Sequence, residues 1–233
     1  MKSHYFAVAA PVILLISASP SAVAQQRQSR PLTGFDAIEV GGGIDLFVRK
    51  GDGFVVEVQA SEDDAAKIVT EVVGKTLKVS RKSSGFFNWG NAGSVYVTLP
   101  ALVALDASGG SDVKTEGTFA SDNLRIGASG GSDLTIDVAA GALHVDASGG
   151  SDLRVSGTAR SAHVESSGGS DLNASALTAD EADVDSSGGS DLAIGVRQKI
   201  TGEASGGSDV TYTGQPASVS VNTSGGAELH HRS

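Results

Sequence analysis

The chain has 233 residues, with 31 glycines, 39% hydrophobic residues, only 5% aromatics and no cysteine. That is enough apolar material for a packed core, but a thin one of Val, Leu, Ile and Ala; the missing cysteine excludes disulfide scaffolds, thiolate zinc sites and cysteine nucleophiles. With 17 basic against 27 acidic residues and a net charge of −10, the chain has no broad footprint for a phosphate backbone. Nucleic acid is therefore not an expected partner, and cations or basic surfaces are better company.

Residues 1–24 read as a secretory signal peptide. Lys2 supplies the positive start, Phe6 to Ile16 is apolar apart from Pro11, and Ala22-Val23-Ala24 is a small-x-small cleavage pattern. Its removal leaves 16 basic against 27 acidic residues, a net of −11. No later window approaches ~18 consecutive apolar residues, so no membrane-spanning helix is expected. The mature chain is expected to be exported, either periplasmic or secreted to the cell surface.

Residues 25–33 read as a linker and residues 34–100 as β-rich first rungs with a short helix. Phe35 to Val40, Ile44 to Arg49, Phe54 to Ala60, Leu77 to Arg81 and Val95 to Leu99 carry strand patterns. Ser61-Glu62-Asp63-Asp64 reads as an N-cap with acids in the first turn, opening a helix to about Val73. Gly41-Gly42-Gly43-Ile44-Asp45 looks like a degenerate relative of a turn that recurs later. Between strands, Gly85-Phe86-Phe87-Asn88-Trp89-Gly90-Asn91 gathers three of the eleven aromatics in one loop. Phe86, Phe87 and Trp89 either contact a glycan, protein or membrane, or fold back to plug the end of the domain.

Residues 101–233 are a repeat. Ser-Gly-Gly-Ser-Asp starts at Ser108, Ser129, Ser148, Ser167, Ser187 and Ser205, with a decayed copy at Ser224, at spacings of 21, 19, 19, 20, 18 and 19 residues. Apolar residues alternate on either side of each copy, as in Leu134/Ile136 after it and Leu143/Val145 before the next. Each repeat reads as two short strands, one turn being Ser-Gly-Gly-Ser and the other a looser polar loop such as 157–161. One unit cannot bury its apolar face alone, whereas units stacked ~4.8 Å apart form ladders around a continuous core. The expected fold is an all-β, two-sheet parallel β-solenoid with ~19-residue rungs and one short helix. Residues 34–233 are expected to form one continuous domain.

Stacking turns repeat positions into columns. The fifth pentapeptide position gives Asp112, Asp133, Asp152, Asp171, Asp191 and Asp209, closed by Glu228. Each Asp either accepts a backbone N–H in its own turn or joins its neighbours in recruiting Ca²⁺. A second column holds Asp146, Glu165, Asp185 and Glu203; beside it stand Arg125, His144, His163 and Asp183. His144 and His163 with these carboxylates suit Zn²⁺ or another divalent ion, and the alternative is a solvated acidic face. No resident cofactor is called for.

The motifs from Phe35-Asp36-Ala37-Ile38 through Gly42-Gly43-Ile44-Asp45 to the last Gly-Gly, with Val97-Thr98-Leu99-Pro100 between, resemble the autotransporter adhesin "head GIN" family. The resemblance covers nearly the whole mature chain, with the Gly-Ser-Asp turns as its most recognisable trait. It implies a right-handed two-sheet solenoid, no assigned catalytic residues and a role in cell adhesion. It departs from a self-sufficient autotransporter in ending at Leu229-His230-His231-Arg232-Ser233 with no membrane barrel.

The function expected is a non-enzymatic scaffold for adhesion, or for binding a protein or glycan at the cell envelope. The alternative is a periplasmic module that binds Ca²⁺ or Zn²⁺ or responds to envelope stress. A carbohydrate-active enzyme is the remaining reading, with no residue to carry it. End rungs with unpaired strand edges could also join copies into a homo-oligomer.

Overall fold

The computed structural model describes residues 26–82 and 93–232. It is a mostly-β chain with one short helix, forming a β-solenoid of about seven turns with rungs of about 19 residues. Residues 1–24, expected to be a signal peptide, and the segment with Phe86, Phe87 and Trp89 lie outside the described residues.

The first strands are β1 (Gln26–Ser29), β2 (Ala37–Gly41), β3 (Asp45–Lys50) and β4 (Val55–Ala60), followed by helix α1 (Glu62–Ala65). Then come β5 (Ile68–Val73), β6 (Thr76–Arg81), β7 (Ser94–Leu99) and β8 (Ala104–Ser108). The repeat supplies β9 (Asp112–Ser129), β10 (Asp133–Ser148), β11 (Asp152–Ser166), β12 (Asp171–Ser186) and β13 (Asp191–Ala204). β14 (Asp209–Thr213), β15 (Ser218–Thr223) and β16 (Glu228–Arg232) complete the last rungs.

Two expectations for the N-terminal half are corrected. The helix ends at Ala65 after one turn, capped by Ser61 and its hydrogen bond from the Asp64 N–H. Ile68–Val73 is a strand paired antiparallel with β6, because its β-branched residues lose less freedom on a pleated surface than in a helix. Gln26–Ser29, read as linker, pairs antiparallel with β4. These antiparallel additions cover the outermost parallel rung, where β6 pairs with β2 and β7 with β3.

β9 to β13 each run 14–18 residues without a break. The loop expected over 157–161 is therefore a bend in a continuous strand: Ser156 to Ala159 stay paired with Ala176 to Ala179. The two faces are two walls of one hydrogen-bonded sheet, folded around the core. Gly157, with φ of 109°, turns that corner, where a Cβ would collide with the Val138 carbonyl.

The register is strict on the turn side. Asp133 pairs with both Asp112 and Asp152, and His144 pairs with His163. Two 19-residue rungs, β10 and β11, pair without a shift, whereas unequal neighbours slip at Thr135/Asp137, Arg154/Ser156, Ala174/Thr178 and Ala179/Glu181. All the slips lie around the far corner, which absorbs the drift in repeat length as bulges.

Inward columns such as Val113, Leu134, Leu153, Leu172, Leu192 and Val210 are buried, as are Leu124, Leu143, Ala162, Ala182 and Ile200. The core is aliphatic, with Phe35 and Phe119 as the buried aromatics among the described residues. The fourth pentapeptide residue also points inward: Ser111, Ser132, Ser151, Ser170, Ser190 and Ser208 are fully buried. Ser132 Oγ accepts from the Ser129 N–H at 3.0 Å and lies within donating reach of the carbonyls of Ser129 (2.8 Å) and Ala107 on the previous rung (3.1 Å). Ser151, Ser170, Ser190 and Ser208 each reach back to the preceding rung in the same way, at 3.0–3.2 Å. The serines both close the turns and bolt the rungs together.

Candidate functional site

One wall carries a groove of about 420 Å³ that crosses the strands from Val103 and Arg125 to Lys199 and Thr201. The strands are in register here, so outward residues of one column face solvent side by side: Arg125, His144, His163, Asp183 and Thr201. Two residues on along the strands lies the acidic column Asp146, Glu165, Asp185 and Glu203. Ala142 and Ser161, both small, leave the depression on the other side.

Of the predicted His and acid residues, the structure brings His144, His163 and Glu165 together. The rings of His144 and His163 stack, with centroids 5.1 Å apart and planes 24° from parallel. His163 sits between two carboxylates: Nε2 is 2.9 Å from Glu165 Oε1, and Nδ1 is 3.2 Å from Asp183 Oδ2. Burial opposes charge on this ring, but the hydrogen bond and negative charge of Glu165, with Asp183 behind, outweigh it and raise its pKa above the ordinary imidazole value. Thr201 Oγ1 donates to Asp183 Oδ1 at 2.9 Å, which orients that carboxylate toward the histidine. Asp146 is drawn the other way, 3.8 Å from Arg125. The potential donors of His144, His163 and Glu165 lie within 4.8 Å of one another, and so do those of His163, Asp183 and Asp185.

The Asp ladder stands on the opposite wall. Asp112, Asp133, Asp152, Asp171, Asp191, Asp209 and Glu228 are in register, and Asp152 to Asp209 line a second groove of about 450 Å³ with Arg154 and His230. Their carboxylates are not the turn acceptors: Ser132 and Ser151 accept from the Ser129 and Ser148 N–H groups, while the Ser167, Ser187 and Ser205 N–H groups donate to backbone carbonyls of the preceding rung. Partial burial raises the Asp112 pKa, with repulsion from Asp133 and Asp45 adding to it. Across the last two rungs, donors of Asp209, Glu228 and His230 come within 4.8 Å, all exposed.

Reasoning from sequence missed Thr201 as the residue that orients Asp183, and it missed the buried serines. The signal for the serines was present in their unvarying place one residue before the Asp and two before the inward Val or Leu.

The fold defines a solenoid scaffold that presents columns of side chains along two walls. Residues 34–216 match the family described as "Putative auto-transporter adhesin, head GIN domain". The chain belongs to that family. Among solved structures it is similar to a "putative adhesin" from Bacteroides fragilis NCTC 9343, at 21% identity over 91% of this chain and 98% of the other, with a TM-score of 0.85. It is also similar to a "putative lipid binding protein" from Parabacteroides distasonis ATCC 8503, at 18% identity, 90% and 97% coverage and a TM-score of 0.72. A "putative adhesin" of that same organism aligns at 17% identity, 89% and 97% coverage and a TM-score of 0.68. At these identities the likeness is one of fold. No curated protein matches the sequence.

Proposed function

We propose that the protein is exported and works at the cell envelope as a rigid, non-enzymatic scaffold that holds a protein or glycan along its wall. The observation that carries this reading is the open groove from Val103 to Thr201, which runs across consecutive rungs held in strict register. Buried serine bolts and a continuous ladder keep its lining columns at fixed spacing, so a partner meets a preformed surface and little ordering entropy is lost on binding. Membership of an adhesin family supports the same reading, as does the signal-like start of the sequence with Lys2 and Ala22-Val23-Ala24.

The test has two parts. Protease treatment of intact producing cells, followed by fractionation, should cleave or release the mature chain from the outside. Purified mature protein should then bind a subset of an array of glycans and extracellular proteins. Ala142→Arg with Ser161→Arg, which fills the groove from exposed positions, should abolish that binding while the melting temperature stays put. Full protection of the chain in intact cells would exclude partners outside the cell, and binding that ignores the filled groove would sink the groove reading.

A further inference from the structure

We propose that His144, His163 and Glu165 form a binding site for a divalent transition-metal ion of the Zn²⁺ type, with Asp183 and Thr201 as its positioning residues.

The argument begins with register. Two histidines at equivalent positions on neighbouring parallel strands project their rings side by side, and here the rings stack at 5.1 Å. Glu165 follows His163 by two residues on the same outward face, so its carboxylate returns to the same ring at 2.9 Å. Three adjacent side chains therefore offer two imidazole nitrogens and one carboxylate oxygen within 4.8 Å of one another. In a tetrahedral shell with Zn–N and Zn–O bonds near 2.0 Å, donors stand about 3.3 Å apart. Side-chain rotation of these part-exposed residues covers the difference while the backbone ladder stays as it is.

The supporting contacts distinguish this cluster from a general acidic surface. His163 uses its Nδ1–H toward Asp183 Oδ2 at 3.2 Å, and Asp183 is itself held by Thr201 through its other oxygen at 2.9 Å. That chain of contacts fixes the ring orientation and directs Nε2 at Glu165, the arrangement of a carboxylate behind a metal-ligating histidine. A metal ion between Nε2 and Oε1 takes the place of the proton shared there, which leaves to solvent. The groove beside the histidines keeps the fourth position open to water or to a group of a bound partner. Imidazole with carboxylate favours Zn²⁺ and its late first-row neighbours over Ca²⁺, which prefers six to eight oxygens. The Asp ladder on the other wall carries carboxylates alone from Asp112 to Asp191, and its one histidine, His230, joins Asp209 and Glu228 only at the end, where all three side chains are exposed.

The experiment is calorimetric titration of the full mature chain with Zn²⁺, paired with Co²⁺ titration followed by visible absorption. One equivalent of Zn²⁺ should bind, and Co²⁺ should develop the bands of a four-coordinate site. His144→Ala and His163→Ala should each weaken binding more than tenfold, and Asp183→Asn or Thr201→Val by about 10–100-fold. Asp152→Asn with Asp171→Asn should leave it unchanged. Circular dichroism checks that each variant is folded; the residues concerned are part-exposed, and Glu165→Gln gives a second, isosteric variant should a histidine change disturb the wall. No binding at millimolar Zn²⁺, affinity unaltered in the two histidine variants, or loss of binding in the Asp-ladder variant overturns the proposal. None of these outcomes depends on whether the groove holds a protein or glycan.

Discussion

At the scale of single residues, the two glycines of the turn do different work. At Gly168, φ is 82°, and an added Cβ would come within 3.1 Å of the Gly149 nitrogen on the rung below. At Gly169 the backbone lies outside the left-handed region and nothing lies within 4 Å of the added atom. Gly168→Ala should therefore cost at least ~1–2 kcal/mol from backbone strain alone, more with the clash, while Gly169→Ala should be neutral or slightly stabilising by restricting the unfolded chain. Chemical denaturation of the pair separates the two effects. Thr115 is the second residue of interest. Its hydroxyl is buried with no hydrogen-bond partner, and it pairs with Val48 in a column that continues as Ile136 and Val155. Thr115→Val keeps the shape and removes an unsatisfied polar group, so it should raise stability by about 1–2 kcal/mol. A lower melting temperature would show that the hydroxyl finds a partner in solution.

At the scale of elements, the rung has a rigid end and a tolerant end. The serine bolts and stacked glycines hold the turn to one length, whereas bulges at the far corner already accommodate rungs of 18 to 21 residues. One glycine inserted after Thr158 should cost no more than about 1 kcal/mol, while the same insertion after Gly149 would flip the following residues to the wrong face and should prevent folding. Expression yield and proteolytic resistance read the difference directly. Ionisation is also felt at this scale. Burial raises the Asp106 pKa; Arg125 opposes this, while Glu39 and Asp146 reinforce it. A raised carboxyl pKa means that the native state holds its proton to higher pH than the unfolded chain, so stability is lost as pH rises through the native value. Asp106→Asn should accordingly raise the melting temperature at neutral pH, with the gain vanishing below the ordinary Asp range. A gain that persists in acid would point to packing instead of charge.

At the scale of the whole molecule, stability is a sum over rungs and their interfaces. The middle rungs are covered on both sides and the last is covered on one. Leu153, 1% exposed in a central rung, and Leu229, partly buried in the final one, occupy the same column. Leu153→Ala should cost about 2–5 kcal/mol and Leu229→Ala about 1 kcal/mol or less. Equal costs would mean that the last rung is covered in solution by something else. The wide interior ladder also explains how a chain with few aromatics stays folded: each aliphatic side chain packs on its equivalents above and below as well as across the core.

Much of this was legible without coordinates. Six near-identical pentapeptides at a steady period announce a stacked fold, and alternation around them assigns inward and outward residues, because a parallel ladder places equivalent residues side by side. The pairing of His144 with His163 followed from that register alone. Spacing could not reveal what happens at the corner, where strands continue through Gly157, since a bend and a loop have the same composition. Nor could it distinguish a helix over 62–73 from one helical turn and a strand, because β6 supplies the pairing partner that decides the matter. The sequence by itself determined the repeat, the register and the faces, all of which are local patterns. Only the tertiary structure decided that serine and not aspartate closes the turns, and that Thr201 and Asp183 fix one histidine, because those contacts join residues on different rungs that only stacking brings together.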